Sequence, residues 1–168
     1  MRKRGNAMRS GTIIASVLVL TALSGCSSPP PPLPPTVVNL TFNATADTNP
    51  SADNTGSPIA FRAYQLGSVA NFNGAEFFQI YNADAATLKA DIVKREDFLL
   101  APSASKTEKI MPDDPVKAIG IFAAYRDFQN STWRATADVV AHKINNITVT
   151  LGHDGVTVKA ETATPPAS

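Results

Sequence analysis

Residues 37–46 read VVNLTFNATA. Val38, Leu40, Phe42 and Ala44 fall on one side of an extended chain, and Asn39, Thr41, Asn43 and Thr45 on the other. That two-residue period predicts a strand with one buried face. Residues 47–58 (DTNPSADNTGSP) follow, dense in turn formers and almost free of apolar groups, so they read as a long exposed loop. IAFRAYQL (59–66) then resumes a strand. A connection of about twelve residues is longer than a hairpin needs, and loops of that length often carry function.

Downstream the period changes. Ser68 can cap a short helix through Phe72, with Asn73-Gly74 as its break. EFFQIY (76–81) and DAATLKADI (84–92) read as helical, with Asp84 as a cap and Leu88 and Ile92 four apart on one face. These segments are expected to cover an edge or an end of a sheet. Strands then return at 98–100, 106–111, 116–128, 133–141, 144–151 and 156–160. AIGIFAAY (118–125) is apolar on both faces, as a central strand covered on both sides should be. Gly152-His153-Asp154-Gly155 predicts a tight hairpin. About eight short strands with one helical insertion predict a mainly β chain, a β-sandwich, over residues 37–160.

The N-terminus is of another kind. Arg2, Lys3, Arg4 and Arg9 precede an apolar run over 11–23, and Leu23-Ser24-Gly25-Cys26 closes it. Basic, apolar, then small is the order of a secretory signal. About 13 apolar residues span roughly 20 Å as a helix, short of the roughly 30 Å hydrocarbon core, so a retained membrane span fails on length. A start at Met8 would leave Arg9 as the only side-chain cation. Residues 23–26 resemble a bacterial lipobox, which implies cleavage after residue 25 and acylation of Cys26. That resemblance also implies sorting. An aspartate after the cysteine favours retention in the inner membrane, and Ser27 stands there instead, so the outer membrane is expected. Buried acyl chains contribute about 0.8 kcal/mol per methylene, and two anchoring signals already hold stably.

Ser27 to Thr36 (SSPPPPLPPT) favours extended polyproline II, a semi-rigid spacer of roughly 30 Å. Residues 26–36 thus read as lipidated cysteine and spacer, and residues 161–168 as a frayed tail. Loss of residues 1–25 removes four of the 15 Lys and Arg, leaving 11 against all 14 Asp and Glu, near −3. No basic stripe remains to follow a phosphate backbone, so nucleic acid is not an expected partner.

The residues offer little catalytic material. Only His142 and His153 exist, on different elements and without carboxylates at ligand spacing, so no zinc site is expected. Asp47, Asn49 and Asp53 have part of a calcium-loop spacing but lack its glycine and its final acid. There is no Gly-x-Ser-x-Gly elbow and no glycine-rich phosphate loop. Asp113-Asp114 lies between prolines and reads as a solvated turn. Tyr125-Arg126-Asp127 reads as a structural ion pair beside a core tyrosine, with Trp133 also in the core. No enzyme and no cofactor are expected.

An ordered set of pieces resembles one family. These are DTNP (47–50), SPIAFRAYQL (57–66), Phe72, FFQIY (77–81), Leu100-Ala101-Pro102, IGIFAAYRD (119–127) and Trp133-Arg134, together with the lipobox. The set is similar to the outer-membrane lipoproteins of type VI secretion systems, the TssJ (SciN) family. It departs at Ser103, where the family pattern leads one to expect glycine. The resemblance implies a transthyretin-like β-sandwich with an added helical segment. It implies a lipid-anchored protein facing the periplasm that holds the periplasmic C-terminal domain of TssM, in a complex also containing TssL. It further implies that the loop between the first two strands meets the partner, here through Asp47, Thr48, Asn49, Pro50, Ser51, Ala52, Asp53 and Asn54. A generic lipoprotein that binds a small ligand or carbohydrate in a sandwich-end cleft is the competing reading.

Overall fold

The structure is a computed structural model that describes residues 32–113 and 115–165. The signal segment, Cys26, residues 27–31 of the spacer, Asp114 and the last three residues lie outside the described part. Eight strands form two four-stranded sheets. One has the order β4-β1-β7-β8, from β1 (Val37–Ala44), β4 (Ser105–Ile110), β7 (Ile144–Leu151) and β8 (Val156–Ala163). The other has the order β3-β2-β5-β6, from β2 (Ile59–Leu66), β3 (Ile92–Leu100), β5 (Ala118–Ala123) and β6 (Arg134–Asp138). All pairings are antiparallel except β1 with β7, which run parallel from Val37↔Ile144 to Ala44↔Leu151.

The alternation of β1 places Val38, Leu40, Phe42 and Ala44 between the sheets, where they meet Ile59, Phe61, Ile119, Ile121, Ile147 and Val149. Phe42, Phe61 and Phe98 form an aromatic centre with ring centroids 4.9–5.1 Å apart. β5 is buried on both faces because it serves two cores. Ile119, Ile121 and Ala123 face the other sheet; Ala118 and Phe122 face a second core beneath the helices.

That second core corrects one expectation. The helices α1 (Ala70–Gly74) and α2 (Phe77–Leu88) cover the outer face of the β2–β5 sheet, not an edge or end. Phe72, Phe77, Ile80 and Leu88 pack there on Tyr64, Leu66 and Phe122, with Trp133 edge-on to Phe77 and Phe122. Gly120 makes the fit possible. A Cβ on it would stand 2.7 Å from Leu66 Cδ1 and 3.2 Å from the Phe72 ring.

The start of α2 follows the expected chemistry, with Glu76 and Gln79 forming a capping box. Its middle does not. Ala83 (φ −149°, ψ 46°) breaks the helix just before Asp84. Asp84 is buried and does more than cap: besides accepting from the Ala85 amide, its carboxylate accepts from Tyr64 Oη at 2.8 Å and Arg95 at 2.9 Å, with Arg62 at 3.5 Å. Asp97 pairs with Arg62 and Arg95 from the other side. The network fastens α2 to the sheet. Burial pushes the Asp84 carboxyl up, but the Arg95 and Tyr64 bonds outweigh it and hold the group below its ordinary value. A depressed carboxylate contributes stability above its unfolded pKa and loses it as pH falls through the folded value. Part of the domain's stability should therefore disappear below about pH 4, and Asp84→Ala should cost about 2–3 kcal/mol at pH 7 and flatten that acid limb. Urea midpoints across pH 2–7 check it.

Boundaries moved for physical reasons. The second helical stretch ends at Leu88, and Ile92 opens β3, which reaches back well beyond the expected 98–100. As an edge strand it is largely exposed, so Lys94-Arg95-Glu96-Asp97 lacks a strand's alternation. β5 is shorter than expected, and β8 continues to Ala163, past the expected end at residue 160, because it pairs with β7 to its end. Arg126 and Asp127 form no ion pair; the Asp127 carboxylate accepts from Asn130 Nδ2 at 2.9 Å.

Candidate functional site

The parallel β1–β7 pairing sorts the loops to two poles. At one lie the 47–58 loop, the 101–104 turn, the 124–133 connection and the Gly152–Gly155 hairpin. They are tied by Ala44 N to Ala104 O (2.9 Å), Ser103 N to Thr45 O (3.2 Å), Thr45 N to Leu151 O (3.0 Å) and Thr132 N to Asp154 O (2.9 Å). The buried Tyr125 donates from beneath to Gly152 O at 3.2 Å, and burial pushes its phenol upward. At the opposite pole the chain enters the domain: Thr36 Oγ1 accepts from the His142 amide at 2.9 Å, and the His142 ring meets Pro34 O at 2.8 Å. Asn145, buried there, donates to Val37, Val140 and Lys143 carbonyls and accepts from the Val140 amide.

The 47–58 loop is not exposed throughout, as its composition led one to expect. Thr48, Asn49 and Ser57 are buried. Asn49 takes a left-handed backbone (φ 46°), accepts from the Arg126 amide at 2.9 Å and donates to Pro58 O at 3.1 Å. Ser57 N bonds Thr48 O at 2.9 Å, and Gly56 lies so close to Ala46 that a Cβ would meet its carbonyl oxygen at 2.1 Å. Beyond this closed neck stands a tip. The Ser51 amide and hydroxyl both donate to Thr55 O, and the Ser51 and Thr55 hydroxyls donate to Asp53. The Ser51 hydroxyl holds the Asp53 carboxyl below its ordinary value, and Thr45 does the same for Asp47. Of the eight residues expected at an interface, Asp47, Ala52, Asp53 and Asn54 are exposed, Pro50 and Ser51 half-buried, and Thr48 and Asn49 turned inward.

Thr48 Oγ1 is buried without a hydrogen-bond partner in the structure. Thr48→Val keeps the shape and removes the orphaned hydroxyl, so it should raise unfolding stability by about 1 kcal/mol in urea titration. A lower midpoint would mean that the hydroxyl is satisfied. At the 101–104 turn, Ser103 has φ 61°, the left-handed region that favours glycine. The residue type departs from the family pattern while the backbone keeps the conformation that glycine suits.

The hollow at this pole, lined by Asn49, Tyr125, Asp127, His153 and others, has about 70 Å³, well below the ~300 Å³ of ordinary ligand pockets. A groove of about 350 Å³ lies on the outer face beside Tyr81, but its Arg62 is already engaged by Asp97 and by the Ile80 and Tyr81 carbonyls. Among the described residues, no three His, Cys, Asp or Glu side chains stand together as a metal site, and no helix is long and apolar enough to cross a membrane.

The chain is a filled two-sheet sandwich with a helical cover on one face and a braced polar loop at one pole. A family model described as type VI secretion lipoprotein (VasD, EvfM, TssJ) matches residues 36–154. The chain belongs to this type VI secretion lipoprotein family. It is 32% identical to the T6SS lipoprotein TssJ1 from Pseudomonas aeruginosa, over 77% of this chain and 99% of that one, with a TM-score of 0.74. Serratia marcescens Lip, a membrane-bound component of the type VI secretion system, has the same fold (22% identity, 74% and 98% coverage, TM-score 0.68). So does a chain in the solved structure of the TssM C-terminal domain from EAEC (23% identity, 74% and 98%, TM-score 0.59). No curated protein sequence matches the chain.

Proposed function

We propose that this lipoprotein anchors a type VI secretion membrane complex to the outer membrane. Acylated Cys26 holds the membrane, and the pole built on the 47–58 loop holds the periplasmic C-terminal domain of TssM. The observation that carries this reading is polarity. The chain enters at Pro34–Thr36, and the braced loop stands at the other end of β1, about 26 Å away for eight residues at ~3.3 Å each. A tether and a grip at opposite ends let the domain bridge a membrane and a partner without either blocking the other. Family membership supports the secretion role, and the likeness to a chain in the TssM C-terminal domain structure supports the choice of partner. Ser27 supports the outer membrane over the inner. Within the loop, the reading assigns contact to Ala52, Asp53 and Asn54 at the tip, and bracing to Thr48 and Asn49.

The test is co-elution. Unacylated protein beginning at Cys26 should elute with purified TssM periplasmic C-terminal domain as one complex on size exclusion. Separate elution at micromolar concentration of both would overturn the assignment. The sandwich-end ligand reading finds no support in a hollow of about 70 Å³.

A further inference from the structure

The N-terminal pole and the 47–58 loop are joined in the chain by β1 alone. β1 pairs with β7 in eight consecutive positions and with β4 in six, with no register shift in either. A strand at ~3.3 Å per residue is already close to the ~3.5 Å limit of a straight chain. We infer that β1 is a load-bearing strap: tension between the N-terminal tether and the 47–58 loop runs along its covalent backbone and leaves the sandwich unloaded. The inference rests on the proposed tether and grip, and it concerns how the two are mechanically joined.

Equal and opposite pulls on the two ends of one taut strand exert no net shear on its neighbours. The ladder bonds to β4 and β7, perpendicular to the strap, need not break. What can give is the loop. Its neck bonds (Ser57 N to Thr48 O, Arg126 N to Asn49 Oδ1) and the Ser51–Thr55 tip would open first. Residues 45–52 then release at most about 28 Å.

Another route between the same poles behaves differently. β8 ends at Ala163, opposite Ile144, and Lys143 Nζ donates to Thr164 Oγ1 at 3.0 Å, so the C-terminal end of β8 lies at the N-terminal pole. A pull between the loop and the C-terminus has no taut strand to follow. It must cross from β2 to β8 through both sheets, and it unfolds them.

Optical tweezers on the unacylated chain from Cys26 onward separate the two routes. One molecule is held by the Cys26 thiol and Ala52→Cys. The other is held by Ala52→Cys and Ser168→Cys in a Cys26→Ser background. The second should unfold in a cooperative step of roughly 350 Å, and the first should show no step beyond about 28 Å at the same loads. The first should also keep the folded-state fluorescence of Trp133, the one tryptophan, under that load; loss of that signal would show that the sandwich is loaded and would overturn the inference. So would a second molecule that bears the same load without unfolding. TssM takes no part in the measurement, so a failure of the partner assignment is read separately from a failure of the strap.

Discussion

Exchanging Cys26 for serine should remove the lipid anchor and abolish secretion, with no change in the stability of the domain. The thiol is the only one in the chain, and a hydroxyl there leaves no site for the thioether through which the proposed lipid would be attached. Each buried methylene of an acyl chain contributes about 0.8 kcal/mol, so losing the chains removes far more binding energy than any surface contact could replace. Among the described residues no helix can cross a membrane in their stead. The first described contacts with the domain are made by Pro34 and Thr36, at least eight positions past Cys26, so the urea midpoint should match wild type. Fractionation should find the variant in the soluble periplasmic fraction or as uncleaved precursor. Full secretion by cells whose only copy carries Cys26→Ser would contradict the anchor reading.

Asn49→Ala should weaken TssM binding at least tenfold although residue 49 is buried in the loop neck. Alanine loses the acceptor for the Arg126 amide and the donor to Pro58 O, which are the bonds that hold the loop neck to the 124–133 connection. Each buried bond contributes about 1 kcal/mol, and alanine at φ 46° costs roughly 1 kcal/mol more, so the neck loses about 3 kcal/mol. A slackened loop must be reordered on binding, which costs affinity. Asn49→Gly relieves the backbone cost but keeps the lost bonds, so it should fall between alanine and wild type. Titration calorimetry with the three proteins checks the order. Equal affinities would show that the neck does not brace the grip.

How much of this was legible in the sequence depends on what each residue contacts. The period of residues 37–46 revealed β1 because one of its faces is core and the other is solvent. The all-apolar run at 118–125 revealed β5 because both of its faces are covered. Only the end of β3, at 98–100, was legible, since an exposed edge strand with Lys94, Arg95, Glu96 and Asp97 has no face to alternate. The helical cover was expected at an edge or an end of a sheet, because nothing in its own sequence says which surface receives Phe72 and Phe77. The signal for that was Gly120, where a side chain would collide with Phe72. In the loop, composition pointed to solvent, yet Thr48 and Asn49 are buried. Asn49 pays for that position by replacing missing backbone bonds, a pairing with Arg126 across 77 positions that local spacing cannot reveal. The length of the loop marked it as a candidate; only its fold divides neck from tip.

In the proposed function the tip of the 47–58 loop grips TssM. Its direct measurement is a titration of the TssM periplasmic C-terminal domain with three forms of the unacylated protein. They are wild type, the double tip variant Asp53→Ala/Asn54→Ala, and Lys159→Ala/Glu161→Ala on the exposed outer edge of β8 as a control. The account predicts at least a tenfold weaker complex for the tip variant and an unchanged one for the control. Wild-type affinity in the tip variant, at an unchanged urea midpoint, would contradict it.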